Sequence, residues 1–541
     1  MVAEVSSNPK KTFFSGVLLL TLSTVLVKLI GLFYKIPMLS YLGTEGMGYF
    51  NSAYELYALF CVISTAGLPV ALSVLISGAV AKGEGARAAL IYRSARSIFL
   101  WIGILGSLVM FFFADAFCNL IKSDNALFCI RAISPTVFLI CLSSALRGYF
   151  QGYQKMLPTA ISQLIEAVGK LVFGLLLAHY ALQKGYDPPT VAAYAGVGLT
   201  LGTALSLLYL LLAKLRFCPP EERLAQREHA EKSEILRSLG RLALPMTLGA
   251  SLVSLTKLVD MAMILRRLQA IGLDEIAANE AYGSYTTLAL SVFGLIPTLV
   301  NSVALPLVPI LSAAIAAGER EKQAMMVRFS YLLTAFFALP SALGIAAFAR
   351  PILMLLFSGE PEAVESAAPL LSYLGVSVFL SCMITATNSV LHAYQAVNRP
   401  ILSMLAGALV KILSAYLLIG LPSIAMAGAP ISTFLCNATV VMLNLGFAAS
   451  LCKSPSVKEV FVRPLLASGA AIGIAFATYQ FCLFTYGESR LLTLLSLLLA
   501  LLSYLIFSCL FGVVKKEELA IFPAGERLLK KLSGIGKMKK E

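Results

Sequence analysis

Residues 75–84 read LISGAVAKGE, and residues 310–319 read ILSAAIAAGE, a near copy 235 positions later. Each copy follows a Leu-Pro dipeptide, with its proline at Pro69 or Pro306. Further along, PTAISQLIEAVGK places Lys170 twelve residues after Pro158, and PILSMLAGALVK places Lys411 eleven after Pro400. Matching stretches precede those prolines, LRGYFQGYQKML and LHAYQAVNR. Upstream of both, Lys28 in STVLVKLIG answers Lys257 in VSLTKLVD. The offsets of 229, 235 and 241 keep their order and include charged positions, which marks an internal duplication. An even number of helices per copy gives both halves the same orientation, related by an axis along the membrane normal.

Composition says what the copies are made of. The chain has 541 residues, 59% hydrophobic and only 13% charged, where a soluble protein carries about 25%. Apolar runs of membrane-spanning length recur throughout. Helices are expected near 13–41, 49–80, 98–120, 126–147, 158–182, 190–213, 238–265, 284–316, 328–349, 366–395, 401–421, 424–451, 463–485 and 491–513. The fold class is therefore all-α, a polytopic membrane protein of about 14 transmembrane helices. Residues 1–213 form an N-lobe of six helices and 238–451 a C-lobe of six, joined by a loop at 214–237. Helices 13 and 14 fill 452–514, and 515–541 is a basic tail. The first apolar run follows Lys10 and Lys11 as a signal peptide would, but it is too long and lacks a small-residue cleavage site.

Basic residues set the orientation. Of 42 lysines and arginines, only Lys122, Arg131, Lys184, Arg266, Arg267, Arg350 and Arg490 fall on one side. Lys28, Lys35, Lys170, Lys257 and Lys411 are embedded, and the rest share the side of both termini. By the positive-inside rule both termini are cytoplasmic, and the net charge of +14 is largely a topology signal. The ten cysteines show no C-x-x-C and the three histidines are isolated, so neither a disulfide framework nor a metal site is expected. There is no nucleotide loop, G-x-S-x-G or H-E-x-x-H, and no enzyme activity, cofactor or nucleic-acid partner is expected.

A charge at the bilayer centre costs roughly 2.5–3.5 kcal/mol on insertion scales, so each embedded one needs a reason. Lys28 sits about 22 Å into helix 1, counted at 1.5 Å per residue. Lys35, just before Pro37, is expected to snorkel to the interface, with a place in the cavity as the alternative. Glu166 and Lys170 are spaced i,i+4, acid first, the favourable order for an ion pair on one helix. Lys257 and Asp260 are spaced i,i+3, and Asp260 is a candidate for binding a proton or sodium ion. Lys411 has no acid on its own helix. With Glu55, these deep positions carry more positive than negative charge.

The stretches GVLLLTLSTVLVKLIGLFYKIPMLSYLGTEGMGYFN, AGLPVALSVLISGAVAKGE, LRGYFQGYQKMLPTAISQLIEAVGK and YTTLALSVFGLIPTLVNSVALPLVPILSAAIAAGE carry a family resemblance. They resemble the polysaccharide-transporter branch of the multidrug/oligosaccharidyl-lipid/polysaccharide flippase superfamily, and within it the lipid II flippase-like sporulation proteins. The resemblance covers almost the whole chain. It implies two lobes around a cavity that opens alternately to each side, in a bacterial cytoplasmic membrane. It also implies an undecaprenyl-diphosphate-linked sugar as cargo, moved for cell-wall or spore-cortex synthesis by a monomer. Coupling to Na+, H+ or the membrane potential goes with it.

In lipid II flippases the cavity is basic on helices 1, 2 and 8. Lys28 matches the helix 1 position, whereas helix 2 offers Glu55 and helix 8 offers Tyr285. Candidate cavity residues are Lys28, Lys257, Lys411, Lys170, Glu166, Glu55 and Arg147, the last placed to meet a headgroup or to anchor helix 4 at the membrane surface. Lysine suits a phosphate that must be gripped and released, being a flexible point charge. The alternative is a multidrug–cation antiporter of the same fold, which would place a deep carboxylate in the N-lobe, as Glu55 and Glu166 allow. A membrane glycosyltransferase needs larger loops than LGTEGMG or QKGYDPPT; a scaffold for envelope assembly is the remaining reading.

Overall fold

The computed structural model describes residues 9–217, 229–304, 307–396, 398–452 and 456–513. The described residues are helical almost throughout and contain no strand. Thirteen segments are long and apolar enough to cross a membrane, and the chain is a multi-pass membrane protein. The first such segment, Leu22–Ala81, has 60 residues. At 1.5 Å per residue it is about 90 Å long, so it holds more than one crossing of a ~30 Å hydrocarbon layer.

The chain divides into two compact units, residues 1–287 with 415–426 and residues 288–414 with 427–541. In the first unit, α1 (Pro9–Thr65) is two helices joined at Gly43, whose φ of 64° a side chain would resist. Next come α2 (Leu68–Ala81), α3 (Gly85–Phe112), the short α4 (Ala114–Ile121), α5 (Leu127–Gly152), α6 (Met156–Gln183) and α7 (Pro188–Arg216). The long α8 (His229–Ala270) and α9 (Glu275–Ser284) complete it, α9 being capped by Asp274, which accepts a 2.8 Å bond from the Ala277 N–H. Helices α6 and α7 meet through Gly169, Gly174, Gly198 and Gly202, the close small-residue contact that membrane helices use in place of hydrophobic burial.

A π-helical turn, Tyr285–Ala289, carries the chain across into the second unit. There follow α10 (Leu290–Ala304), α11 (Leu307–Ala316), α12 (Arg320–Ala347), α13 (Ala349–Leu356), α14 (Pro361–Ala393), α15 (Asn398–Ile419), whose residues from Ala415 on belong to the first unit, and α16 (Gly428–Ala449). The last two helices are α17 (Arg463–Tyr486) and α18 (Arg490–Leu510).

The duplication is visible in the backbone. Helices α3 and α12 both have 28 residues, and α4 and α13 both have eight. Left-handed residues recur at the same offsets: Gly83 with Gly318, and Gln154 with Gln395 at φ 58° and 59°. Each glutamine closes the end of its helix, where Lys155 N–H reaches Phe150 O and Ala396 N–H reaches Leu391 O, both at 2.9 Å.

Several expected helices differ in outline. The one over 49–80 breaks at Ala66 and Gly67, because Pro69 lacks an N–H and Gly67 packs where any side chain would strike Ala243 and Thr247 of α8. Those expected over 98–120 and 328–349 begin earlier, at Gly85 and Arg320. Their first turns are rich in Arg and Lys and read as loop, but they are the ends of helices longer than the membrane is thick. The helix expected over 284–316 is interrupted by the π turn.

Candidate functional site

The deep charges of the first unit come from four helices. Lys28 of α1 and Lys257 of α8, paired in the duplication, are both exposed and within Coulombic range of each other. Seven residues after Lys28, and so on the same face of α1, Lys35 is half-buried. Its ammonium donates to the Thr286 carbonyl at 3.1 Å, inside the π turn, and feels both Lys170 and Glu55. The expected snorkelling is therefore not what Lys35 does: Pro37 is accommodated within the helix, and the side chain turns to α9's end.

Lys170 of α6 lies over the ring of Tyr54 at 4.4 Å, with Tyr34 at 5.2 Å and Phe50 at 5.9 Å, all from α1. Such rings stabilise a desolvated ammonium by up to about 2 kcal/mol. The Glu166 carboxylate, expected to pair with Lys170 one turn away, is bridged instead to Arg147 at 2.7 Å. Arg147 also donates to Ser162 Oγ at 3.0 Å and Ser206 Oγ at 3.2 Å, which ties α5 to α6 and α7. The rigid guanidinium fork can satisfy all three partners, which an ammonium on the same helix as Glu166 cannot reach together.

Glu55 and Asp260 both act electrostatically on the buried Tyr282 hydroxyl of α9, so α1 and α8 bring acids as well as bases to this region. Lys411 belongs to α15 in the second unit, where it is half-buried. Among the deep groups of the first unit, Lys28, Lys35, Lys170, Lys257 and Arg147 oppose Glu55, Glu166 and Asp260.

Reading the sequence did not single out Asn51, Thr286 or Thr287. The Asn51 amide donates to Thr286 Oγ1 at 2.9 Å and to Thr287 Oγ1 at 2.8 Å. Next to this, Gly48 and Gly283 let α1 and α9 touch along their backbones. The available signal was a buried amide in YFNSAYE and a pair of threonines in an apolar run; nothing local announces a π turn.

A family model described as Polysaccharide biosynthesis protein matches residues 13–315, and a second, MatE, matches 245–417. The chain is 26% identical over 545 residues to Stage V sporulation protein B of Bacillus subtilis (strain 168), covering 96% of this chain and 99% of the relative. It is 24% identical over 463 residues to Lipid II flippase MurJ of the same organism, covering 81% and 80%. A solved structure of Lipid II flippase MurJ in an inward closed conformation matches with a TM-score of 0.70 at 17% identity, over 91% of this chain and 98% of that one. The likeness of fold thus extends over nearly the whole length.

Proposed function

The chain belongs to the polysaccharide biosynthesis protein family, and from that premise we propose that it is an alternating-access flippase for an undecaprenyl-diphosphate-linked sugar. The observation that carries this reading is the pair Lys28 and Lys257. Two helices far apart in sequence present like charges within range of each other. Keeping them there costs free energy that an anion between them would return, and a diphosphate is such an anion. Lys170 extends the basic surface, and Arg147 with Glu166 holds α5, α6 and α7 in register behind it. The names of the two bacterial relatives, one a sporulation protein and one a lipid II flippase, support a precursor of cell wall or spore cortex as cargo.

The protein works as a monomer in the bacterial cytoplasmic membrane with both termini inside. It moves its cargo without making or breaking a covalent bond. Asp260 is the group to test for ion coupling. The rival reading, a cation antiporter, has the acids Glu55 and Asp260 around Tyr282 in its favour. Binding of the purified protein to undecaprenyl-diphosphate sugars and to cationic drugs separates the two. The flippase reading expects saturable binding of the diphosphates that Lys28→Glu removes. Drug binding that survives Lys28→Glu and is lost in Glu55→Gln would overturn it.

A further inference from the structure

Lys35 lies one helical face along from Lys28, yet its ammonium is committed to a backbone carbonyl. That carbonyl belongs to Thr286, in the π turn where the chain leaves the first unit. A π turn sets its carbonyls and N–H groups out of step with the ordinary helical ladder and is often kept at functional sites. Here it is held from two sides, by Lys35 through the Thr286 carbonyl and by Asn51 through the hydroxyls of Thr286 and Thr287. Thr286 Oγ1 in turn donates to Tyr282 O at 2.7 Å, so the turn is fastened to α9 as well. Of these bonds only the one from Lys35 carries charge, and only it can be drawn off by an anion.

We propose that Lys35 links cargo to opening of the α1–α9 contact: at rest it holds the Thr286 carbonyl, and when a lipid diphosphate arrives it exchanges that carbonyl for a phosphate oxygen. The exchange favours the phosphate because a charge-assisted bond between two ions is stronger than one from an ammonium to a neutral carbonyl. Lys170, within electrostatic reach of Lys35, adds to the pull on the same phosphate. Once Lys35 lets go, the π turn keeps its neutral bonds with Asn51 and Tyr282, and α9 is free to part from α1 at the Gly48–Gly283 contact. This rests on the diphosphate reading for its ligand but not for its resting state. The bond to Thr286 makes Lys35 a positioning residue whatever the cargo.

The test places a cysteine at Ser284, which is 4% exposed beside that contact, in the full chain with its native cysteines replaced and reconstituted in nanodiscs. Maleimide labelling is slow in the parent and rises about tenfold on adding undecaprenyl diphosphate, the share one charge-assisted hydrogen bond controls. Phosphatidylglycerol leaves it slow. Lys35→Met labels fast without lipid and gains nothing from it, while Lys35→Arg stays slow at rest and responds in part. Slow resting labelling of a folded Lys35→Met protein overturns the latch. Should that variant not fold, fast resting labelling of Lys35→Arg with no response to lipid overturns it equally. Binding of undecaprenyl diphosphate is measured in parallel. Binding without faster labelling overturns the exchange alone, and absence of binding overturns the diphosphate reading. Opening by phosphatidylglycerol would overturn recognition of the diphosphate and assign the effect to membrane lipid.

Discussion

The two halves of the duplication solve one packing problem with different chemistry. In the first, α5 is tied to α6 and α7 by Arg147, Glu166, Ser162 and Ser206. At an offset of 241 the second half has Asn388 for Arg147, Ser403 for Ser162 and Gly407 for Glu166. Its α14 is tied to α16 by neutral groups, with the buried Asn444 amide donating to Thr387 Oγ1 at 3.0 Å and Asn388 Oδ1 at 2.8 Å. A charged pair only 12% and 23% exposed pays desolvation that an amide network largely avoids. The first half keeps the costlier solution one helical turn from Lys170. What the contrast teaches is that a neutral polar tie suffices to join these helices, and under the flippase reading the charges of the first half serve the site beside it.

Several substitutions press on that contrast, beginning with the largest effect. Lys28→Glu should lower transport of a lipid diphosphate by roughly a hundredfold or more, since juxtaposed like charges cost several kcal/mol. Membrane abundance should stay near normal, and Lys257→Glu should do the same. Reconstituted vesicles would report it, and undiminished transport would take the anion site away from the first unit.

Arg147→Ala leaves the partly buried Glu166 carboxylate without its main partner and should cost about 3 kcal/mol, the lower end for a pair fully removed from water. Thermal unfolding in detergent measures this, and Arg147→Ala with Glu166→Ala should recover most of the loss. Asn444→Ala removes two neutral bonds and should cost about 1–3 kcal/mol. A loss equal to that of Arg147→Ala would erase the energetic difference between the halves.

The smallest effect belongs to Arg350, just after α12, which bonds Glu365 at 2.7 Å and also Glu488. These bonds raise the arginine's pKa further, so it stays charged. All three side chains are well exposed, at 41%, 57% and 40%, and water screens the triad. Arg350→Ala should cost no more than about 1 kcal/mol, and less in high salt.

The frame was legible because hydropathy and repetition are properties of the chain itself. The offset of 235 between two decapeptides reappears as the offset between α3 and α12 and between Gly83 and Gly318. Partner choice was not legible. Glu166 and Lys170 have ideal spacing for a pair, yet Glu166 takes Arg147, because α5 brings a guanidinium into line and the rings of α1 occupy Lys170. Lys35 looked interfacial beside Pro37 because counting along a helix says nothing of which neighbour lies across from it. Its partner is a main-chain oxygen 251 residues away, and main-chain oxygens leave no trace in a sequence.

Gly43 has one more consequence, which is mechanical. Lys35 lies eight residues before it and Asn51 eight after, and both grip Thr286. The two arms of α1 therefore act as a pair of tweezers about a single-residue spring, each jaw about 12 Å from the bend at 1.5 Å per residue. One jaw is ionic and the other neutral, so a polyanion loosens only the first, while the second keeps the turn in register for the jaw to close on again. Reach and return are then set by the stiffness of one glycine, and stiffening it, as in Gly43→Ala, should slow the cycle without touching a single group that binds cargo.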